Sequence, residues 1–267
     1  MILSEDNKIV HGLWVGNKLS SMELLTLKSF THFGHEFHLW VYEPLQNELP
    51  KGVIIRDANE IIPASGIFRR KFDDPIYKIG KGSIGAPFSD LFRYKLLYEH
   101  GGWWVDMDVT CLQPFTIKEP YFFRAHPILP MIGNIIKVPA KSELMRLAYE
   151  QTLAECDENT LEWLLPNKIL NQHIENLNLH SFIVGDRSTI DWWEKVDKFI
   201  TGNAKFPENW LFIHWMNEEW RMRGLDKNAV FKQTTIGSLY TFYQLRTIHY
   251  PTLLRIKNWI KHLKNKA

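Results

Sequence analysis

The chain has 267 residues, of which 45% are hydrophobic and 23% charged, and a formal net charge of +2. These values exclude a disordered or fibrous chain and leave room for one large, fully cored domain. Cys111 and Cys156 have no spacing suggestive of a metal centre or disulfide framework, and no run approaches the ~18 apolar residues of a spanning helix. The first residues, Met-Ile-Leu-Ser-Glu-Asp-Asn-Lys, lack the basic-then-apolar pattern of a signal peptide, so an intracellular protein is expected.

The charge is unevenly placed. From Lys227 to Ala267 there are eight Lys or Arg and no Asp or Glu, which leaves the first 226 residues at −6. The expected division is therefore a main domain over 1–226 and a basic helical extension over 227–267, packed on that domain.

In chain order, Lys8 to Gly16 reads as a strand running into a glycine turn. Ser20-x-x-Glu23 is a capping box that opens a helix closed by Gly34. Phe37 to Tyr42 and Gly52 to Arg56 read as two more strands. Strand, helix, strand at this spacing predicts a parallel sheet, whose ligands bind beyond the carboxyl ends of the strands, where Trp14 and Gly16 fall. Residues 57–86 form a long loop of the kind that covers a site. Its Gly80-Lys81-Gly82-Ser83-Ile84-Gly85 follows no clear strand, which argues against a phosphate cradle.

Residues 89–108 carry the densest signal. Leu91, Tyr94, Leu97 and Tyr98 recur at helical spacing, Gly101-Gly102 stops the helix, and Trp103 to Val105 reads as a buried strand. Asp90 and Arg93 sit one turn apart. An extended strand would then place Asp106 and Asp108 on one side, where two carboxylates repel unless they share a divalent cation. Oxygen-only ligands favour Mg2+ or Mn2+. The other explanation is a solvated strand end with two surface acids.

Farther on, Val109 to Leu112, Tyr121 to Arg124, Met131 to Val138 and Trp210 to Trp215 read as strands, and Ala140 to Cys156 and Thr160 to Asn176 as helices. Leu253, Ile256, Ile260 and Leu263 form a stripe on a basic helix. Such a helix either lies on an anionic membrane surface or packs on its own domain. The basic residues are confined to this tail and no nucleic-acid motif accompanies them, so no nucleic-acid partner is expected.

The run Ser-Asp-x-x-Arg-Tyr, Leu-Tyr-x-x-Gly-Gly and aromatic-apolar-Asp-x-Asp over residues 86–115 resembles the DXD sugar transferases of glycosyltransferase family 32. Leu13-Trp14-Val15-Gly16 also resembles the first-strand motif of the more distant clostridial glucosylating toxins. The resemblance implies an α/β fold of GT-A type, a Rossmann-like mixed, mainly parallel sheet flanked by helices, with a helical C-terminal region. It implies a retaining, metal-dependent transfer from a nucleotide-diphosphate sugar, with a UDP-sugar favoured by the Trp14 motif. The acceptor would be a glycan or lipid-linked sugar in surface polysaccharide or lipopolysaccharide synthesis. Without the N-terminal anchor of eukaryotic relatives, the setting implied is the bacterial cytoplasm, peripheral on the inner face of the membrane.

Carried over by residue, the resemblance makes Asp108 a direct metal ligand and Asp106 a ligand through water or the ribose. Asp90 and Arg93 would hold donor-sugar hydroxyls, Trp14 would stack on the nucleobase beside Gly16, and Trp104 and Asn134 would line the donor site. A late His and Trp, often with a serine between them, close the family's site on the metal and the diphosphate. His214 and Trp220 match in kind, with Asn217 where a serine is absent. Leu165-Pro166 departs from the family's frequent Gly-Pro. Two rival readings stand beside this one, the first on the same carboxylates and the second on the aromatics and the basic tail without any need for Asp108. Asp106-Met-Asp108-Val-Thr110, with Gly185-Asp186 to Asp191, fits a haloacid-dehalogenase-type phosphatase. The aromatic richness fits a non-catalytic sugar-binding protein.

Overall fold

The computed structural model describes residues 3–78, 80–84 and 87–249. The elements run α1 (Glu5–Lys8), β1 (Ile9–Trp14), α2 (Ser21–His32), β2 (Glu36–Val41), β3 (Val53–Asp57), α3 (Phe88–His100), β4 (Gly102–Val105), β5 (Val109–Cys111), β6 (Phe122–Ala125) and β7 (Met131–Val138). They continue with α4 (Glu143–Glu155), α5 (Leu165–Asn176), β8 (Ile183–Val184), α6 (Trp193–Ile200), β9 (Phe212–His214), α7 (Asn217–Met222), β10 (Ala229–Val230), α8 (Thr235–Phe242) and β11 (Ile248–His249). The basic stripe expected at 253–263 and Gly85 lie outside the described residues.

Among the described residues, the central sheet has seven strands in the order β3-β2-β1-β4-β7-β6-β8. β3, β2, β1 and β4 are mutually parallel, β7 runs antiparallel to both β4 and β6, and β8 pairs parallel with β6. This is the mixed, mainly parallel sheet flanked by helices that the βαβ spacing predicts. Alternation along the strands divides the core between two faces. Trp40, Trp104 and Ile136 pack with Leu91, Leu97 and Met145 on the α3/α4/α5 side. Their neighbours Leu39, Trp103, Val105 and Ile135 pack with Leu27 and Phe30 of α2 on the other.

Helix α2 is buried on two sides, which explains its weak amphipathic contrast. Leu27 and Phe30 face the sheet, while Met22 and Leu25 join a third cluster with Val196, Trp215, Trp220, Ile236 and Tyr240. The expected boundary at 226 therefore falls inside one shared cluster. The capping box forms as read: Ser20 caps the N-terminus and the Glu23 carboxylate accepts the Ser20 N–H at 2.7 Å.

Two expectations are corrected. The helix expected from Thr160 begins only at Leu165, because Asp157 folds the preceding chain into a turn, accepting the Asn159 N–H at 2.8 Å. The strand expected to carry Asp106 and Asp108 ends at Val105, and Met107 and Asp108 lie in a turn before β5. The glycine stop holds: Gly101 has φ 66° and ψ −160°, a region that excludes side chains, and a Cβ there would lie 2.3 Å from the Ala140 nitrogen. Its absence lets α3 turn directly into β4.

Candidate active site

Helix α3 delivers Asp90 and Arg93 to the carboxyl ends of β1 and β4, where a cleft of about 640 Å³ opens. Asp90, Arg93, Trp104, Asp106, Asp108, Asn134, His214 and Trp14 all line it. Gly16 and Trp220 do not. Gly16, with φ 128°, makes the bend beside Trp14 after β1, while Trp220 is 2% exposed in the third cluster, so its assignment to the donor site is corrected.

Arg93 is the hub of one half of the cleft. Its Nη1 pairs with Asp90 Oδ1 at 2.5 Å and its Nη2 with Asp106 Oδ1 at 2.7 Å, while the guanidinium lies 4.9 Å over the Trp104 ring. Trp104 Nε1 donates to the same Asp106 oxygen at 2.8 Å. Trp104 thus orients a carboxylate from the cleft wall. Burial raises the Asp106 pKa against the opposing charge of Arg93, and with the neighbouring Asp108 carboxylate it reaches about 6. Burial also raises Asp90, again against Arg93.

The other half is built on Asp108. Its Oδ2 accepts the Asn217 N–H at 2.6 Å and the His214 Nε2 at 3.2 Å. His214 Nδ1 in turn meets Asp191 Oδ1 at 3.0 Å, and Asp191 is gripped by Arg124 through both oxygens, at 2.6 and 2.7 Å. Burial opposes charge on His214, but the carboxylates of Asp191 and Asp108 outweigh it and raise the imidazole pKa to about 10. Burial likewise acts upward on Asp108, yet the His214 charge and the two hydrogen bonds bring its pKa below the usual carboxylate value. With Asp108 on Nε2 and Asp191 on Nδ1, the His214 ring is arranged to position Asp108.

Asp106 Oδ2 and Asp108 Oδ1 carry no hydrogen bond among the described residues, and both side chains line the cleft. No third His, Cys, Asp or Glu completes a cation cluster among the described residues. The pair fits a hard cation whose remaining positions are taken by water and phosphate oxygens, as Mg2+ and Mn2+ accept.

Asn134 is 3% exposed, and neither its Oδ1 nor its Nδ2 has a partner among the described residues, an unusual cost for a buried amide unless a ligand meets it. Trp14 has one face under Lys227 Nζ at 5.5 Å. The Lys227 ammonium is in turn ion-paired with the buried Glu23.

Sequence reasoning missed Asn167, Arg124 and the role of Asp191. Asn167 Oδ1 accepts the Gly133 N–H at 2.7 Å and its Nδ2 approaches Asp90 Oδ2 at 3.4 Å. Pro166 beside it was the available signal, as a helix start aimed at α3. Asp191 was weighed only for the phosphatase motif, which is not assembled: its carboxylate is committed to Arg124 and His214, and the Asp186 side chain is 72% exposed.

Residues 55–128 match the family described as glycosyltransferase sugar-binding region containing DXD motif. Among solved structures, the chain is similar to a PaToxG glycosyltransferase, with 14% identity and a TM-score of 0.44, covering 66% of this chain and 74% of that one. It is also similar to a transferase carrying two cysteine-to-serine mutations, with 8% identity and a TM-score of 0.41, over 66% of this chain and 86% of that one. No curated protein sequence matches the chain.

Proposed function

We propose, from the premise that this chain is a glycosyltransferase with its DXD sugar-binding region at 55–128, that it moves a sugar from a nucleoside diphosphate to an acceptor hydroxyl using Asp106 and Asp108 with a divalent cation. One observation carries the reading: both carboxylates reach a single cleft, with Asp106 joined through Arg93 to Asp90. When bound, Mn2+ or Mg2+ would supply neutralisation of the charge that develops on the departing diphosphate.

The chain's own residues divide the remaining work. Asp90 is an acceptor and Arg93 a donor for hydroxyls of the donor sugar, and their burial keeps water from competing for those bonds. Asn134 offers both an acceptor and a donor to the same sugar, which would satisfy its unpartnered amide. The free face of Trp14 takes the nucleobase, with uridine favoured by the first-strand motif. Asp108 is held ionised by His214 and Asn217, so the second DXD carboxylate is ready for a cation at neutral pH. Retention of anomeric configuration, a glycan or lipid-linked acceptor in bacterial surface-polysaccharide synthesis, and a peripheral cytoplasmic site of action complete the proposal. No helix among the described residues is long and apolar enough to cross a membrane.

The test is thermal-shift binding of a nucleoside-diphosphate panel with and without Mn2+, on the natural chain and on Asp108→Ala. A ligand bound with both metal and Asp108 stabilises by about 2.7 kcal/mol at a hundredfold excess over its dissociation constant. Binding of one nucleotide only with metal and Asp108 is the expected result. Phosphate analogues shifting the protein while no nucleotide does would overturn it.

A further inference from the structure

Among the described residues, five tryptophans line the cleft: Trp14, Trp104, Trp163, Trp192 and Trp193. Four have a cation over the ring: Lys227 at 5.5 Å, Arg93 at 4.9 Å, Arg70 at 5.5 Å and Arg223 at 4.5 Å, in that order of tryptophan. Trp192 is the exception among the described residues, and it is 46% exposed. A large aromatic on a cleft wall with no partner on its ring is a stacking face for a ligand.

Trp192 is also held in a definite place. The residue before it, Asp191, is gripped through both carboxylate oxygens by Arg124 of β6, and it touches His214, which touches Asp108. His126 stands two residues beyond Arg124 and lines the same cleft, as does Ile128, 45% exposed. The Arg124–Asp191 staple therefore keeps Trp192 and the 126–128 turn within a few residues of one fixed point, which is itself tied to the DXD carboxylate.

The tautomer of His126 is fixed by its turn. The N–H groups of Ile128 and Leu129 both point at Nδ1, at 3.3 and 3.4 Å, so Nδ1 is an acceptor and the ring proton resides on Nε2. Burial lowers the His126 pKa to about 4, which keeps the ring neutral. Nε2–H has no protein partner among the described residues. Arg223, which also lines the cleft, is paired with Glu219 at 2.8 Å, and Glu194 adds a carboxylate, a balance that favours an uncharged ligand over an anionic one.

We propose that this side of the cleft is the acceptor subsite of the transferase, binding a neutral pyranose whose ring stacks on Trp192 and whose hydroxyl accepts a hydrogen bond from His126 Nε2. The proposal rests on the transferase reading above and adds the acceptor's chemical class. Ile128 covers the apolar C–H side of the sugar.

The test is saturation-transfer NMR on the full chain with Mg2+ and UDP, using methyl α- and β-pyranosides of glucose, galactose, mannose and N-acetylglucosamine as probes. Thermal shift with UDP is run in parallel. At least one pyranoside is expected to bind, with Trp192→Ala weakening it about tenfold or more and His126→Phe weakening it about tenfold. His126→Gln, whose amide N–H can still donate, should restore most of that loss, and none of the three should change the UDP shift. If no pyranoside binds the natural chain, or if Trp192→Ala binds as the natural chain does, the subsite is overturned. A retained nucleotide shift in that case leaves the transferase reading intact, whereas the absence of a shift with every nucleoside diphosphate overturns both.

Discussion

Asp106 and Asp108 are separated by one residue, Met107, and are held by different cations, the first by Arg93 at 2.7 Å and the second by His214 at 3.2 Å. Their acidities diverge because burial outweighs Arg93 at Asp106, raising it to about 6, whereas the His214 charge and the hydrogen bonds outweigh burial at Asp108 and bring it below its ordinary value. The turn after β4 thus presents one carboxylate that is reliably ionised and one that takes a proton in mild acid.

That difference predicts an acid limb in turnover. With limiting metal, kcat/KM for a nucleotide-sugar donor should fall as pH drops through about 6, because a protonated Asp106 no longer offers a charged oxygen to a cation. For folding the sign is reversed. A carboxyl raised from 3.8 to about 6 contributes stability below pH 3.8 that is lost as pH rises through 6. Asp106→Asn should therefore unfold at higher urea than the natural chain at pH 7.5, and the gap should close at low pH. A limb centred below pH 5, or an asparagine variant less stable at pH 7.5, would contradict this account.

Arg93 is buried between two carboxylates, so its removal leaves both unpaired. Arg93→Ala should cost roughly 3–5 kcal/mol of folding free energy, the range for breaking a buried ion pair by deleting one partner. Arg93→Lys should recover only part of this, since an ammonium cannot present two forked N–H groups to Asp90 and Asp106 or lie flat on Trp104. Urea denaturation of the three proteins decides it, and equal stability of the lysine variant would remove the argument for the fork.

The legible parts of the chain were those with local signals. The Ser20 capping box, the Gly101 break and the period-2 strands each announce themselves within a few residues, and together they define the parallel half of the sheet. Asp90, Arg93, Asp106 and Asp108 were legible as a group because one helix-strand unit carries all four to the cleft. His214 was visible as a residue but not in its role, since its two carboxylate partners are 106 and 23 residues away in sequence. Asp106 and Asp108 were misread as a strand pair because the chain after β4 enters a turn at Met107 and Asp108, where the reading assumed that the extended geometry continued. Trp220 has nothing local to distinguish a core tryptophan from a ligand-stacking one.

His35 provides an independent check on the fold. It is 2% exposed, its Nδ1–H reaches the Asn7 carbonyl at 2.8 Å, and its Nε2 accepts the Phe115 N–H at 3.1 Å. A second proton would set N–H against N–H. Burial depresses its pKa from 6.5 to about 4, so the unfolded chain takes up the proton first as pH falls. The folded state should lose about 3 kcal/mol from this group between pH 6.5 and 4. His35→Gln, which keeps a donor and an acceptor without a titrating ring, should flatten that part of the pH-stability curve in urea unfolding; an unchanged slope would refute the assignment.

Gly133 makes the final prediction, because its missing side chain is what admits Arg93. A Cβ at this position would lie 2.3 Å from Arg93 Nη1 and 3.2 Å from Asn167 Oδ1. Its N–H also anchors Asn167, which reaches Asp90. Gly133→Ala must therefore displace the guanidinium, the end of a long side chain, rather than the sheet. The expected global cost is that of modest overpacking, about 1–3 kcal/mol. The loss of donor binding should exceed it, since the forked contacts to Asp90 and Asp106 are broken together. Measured side by side, a fall in nucleotide-sugar affinity of about tenfold or more with m-value unchanged would locate the damage at the Arg93 fork. A variant that loses stability but binds donor normally would show that Arg93 does not hold the sugar.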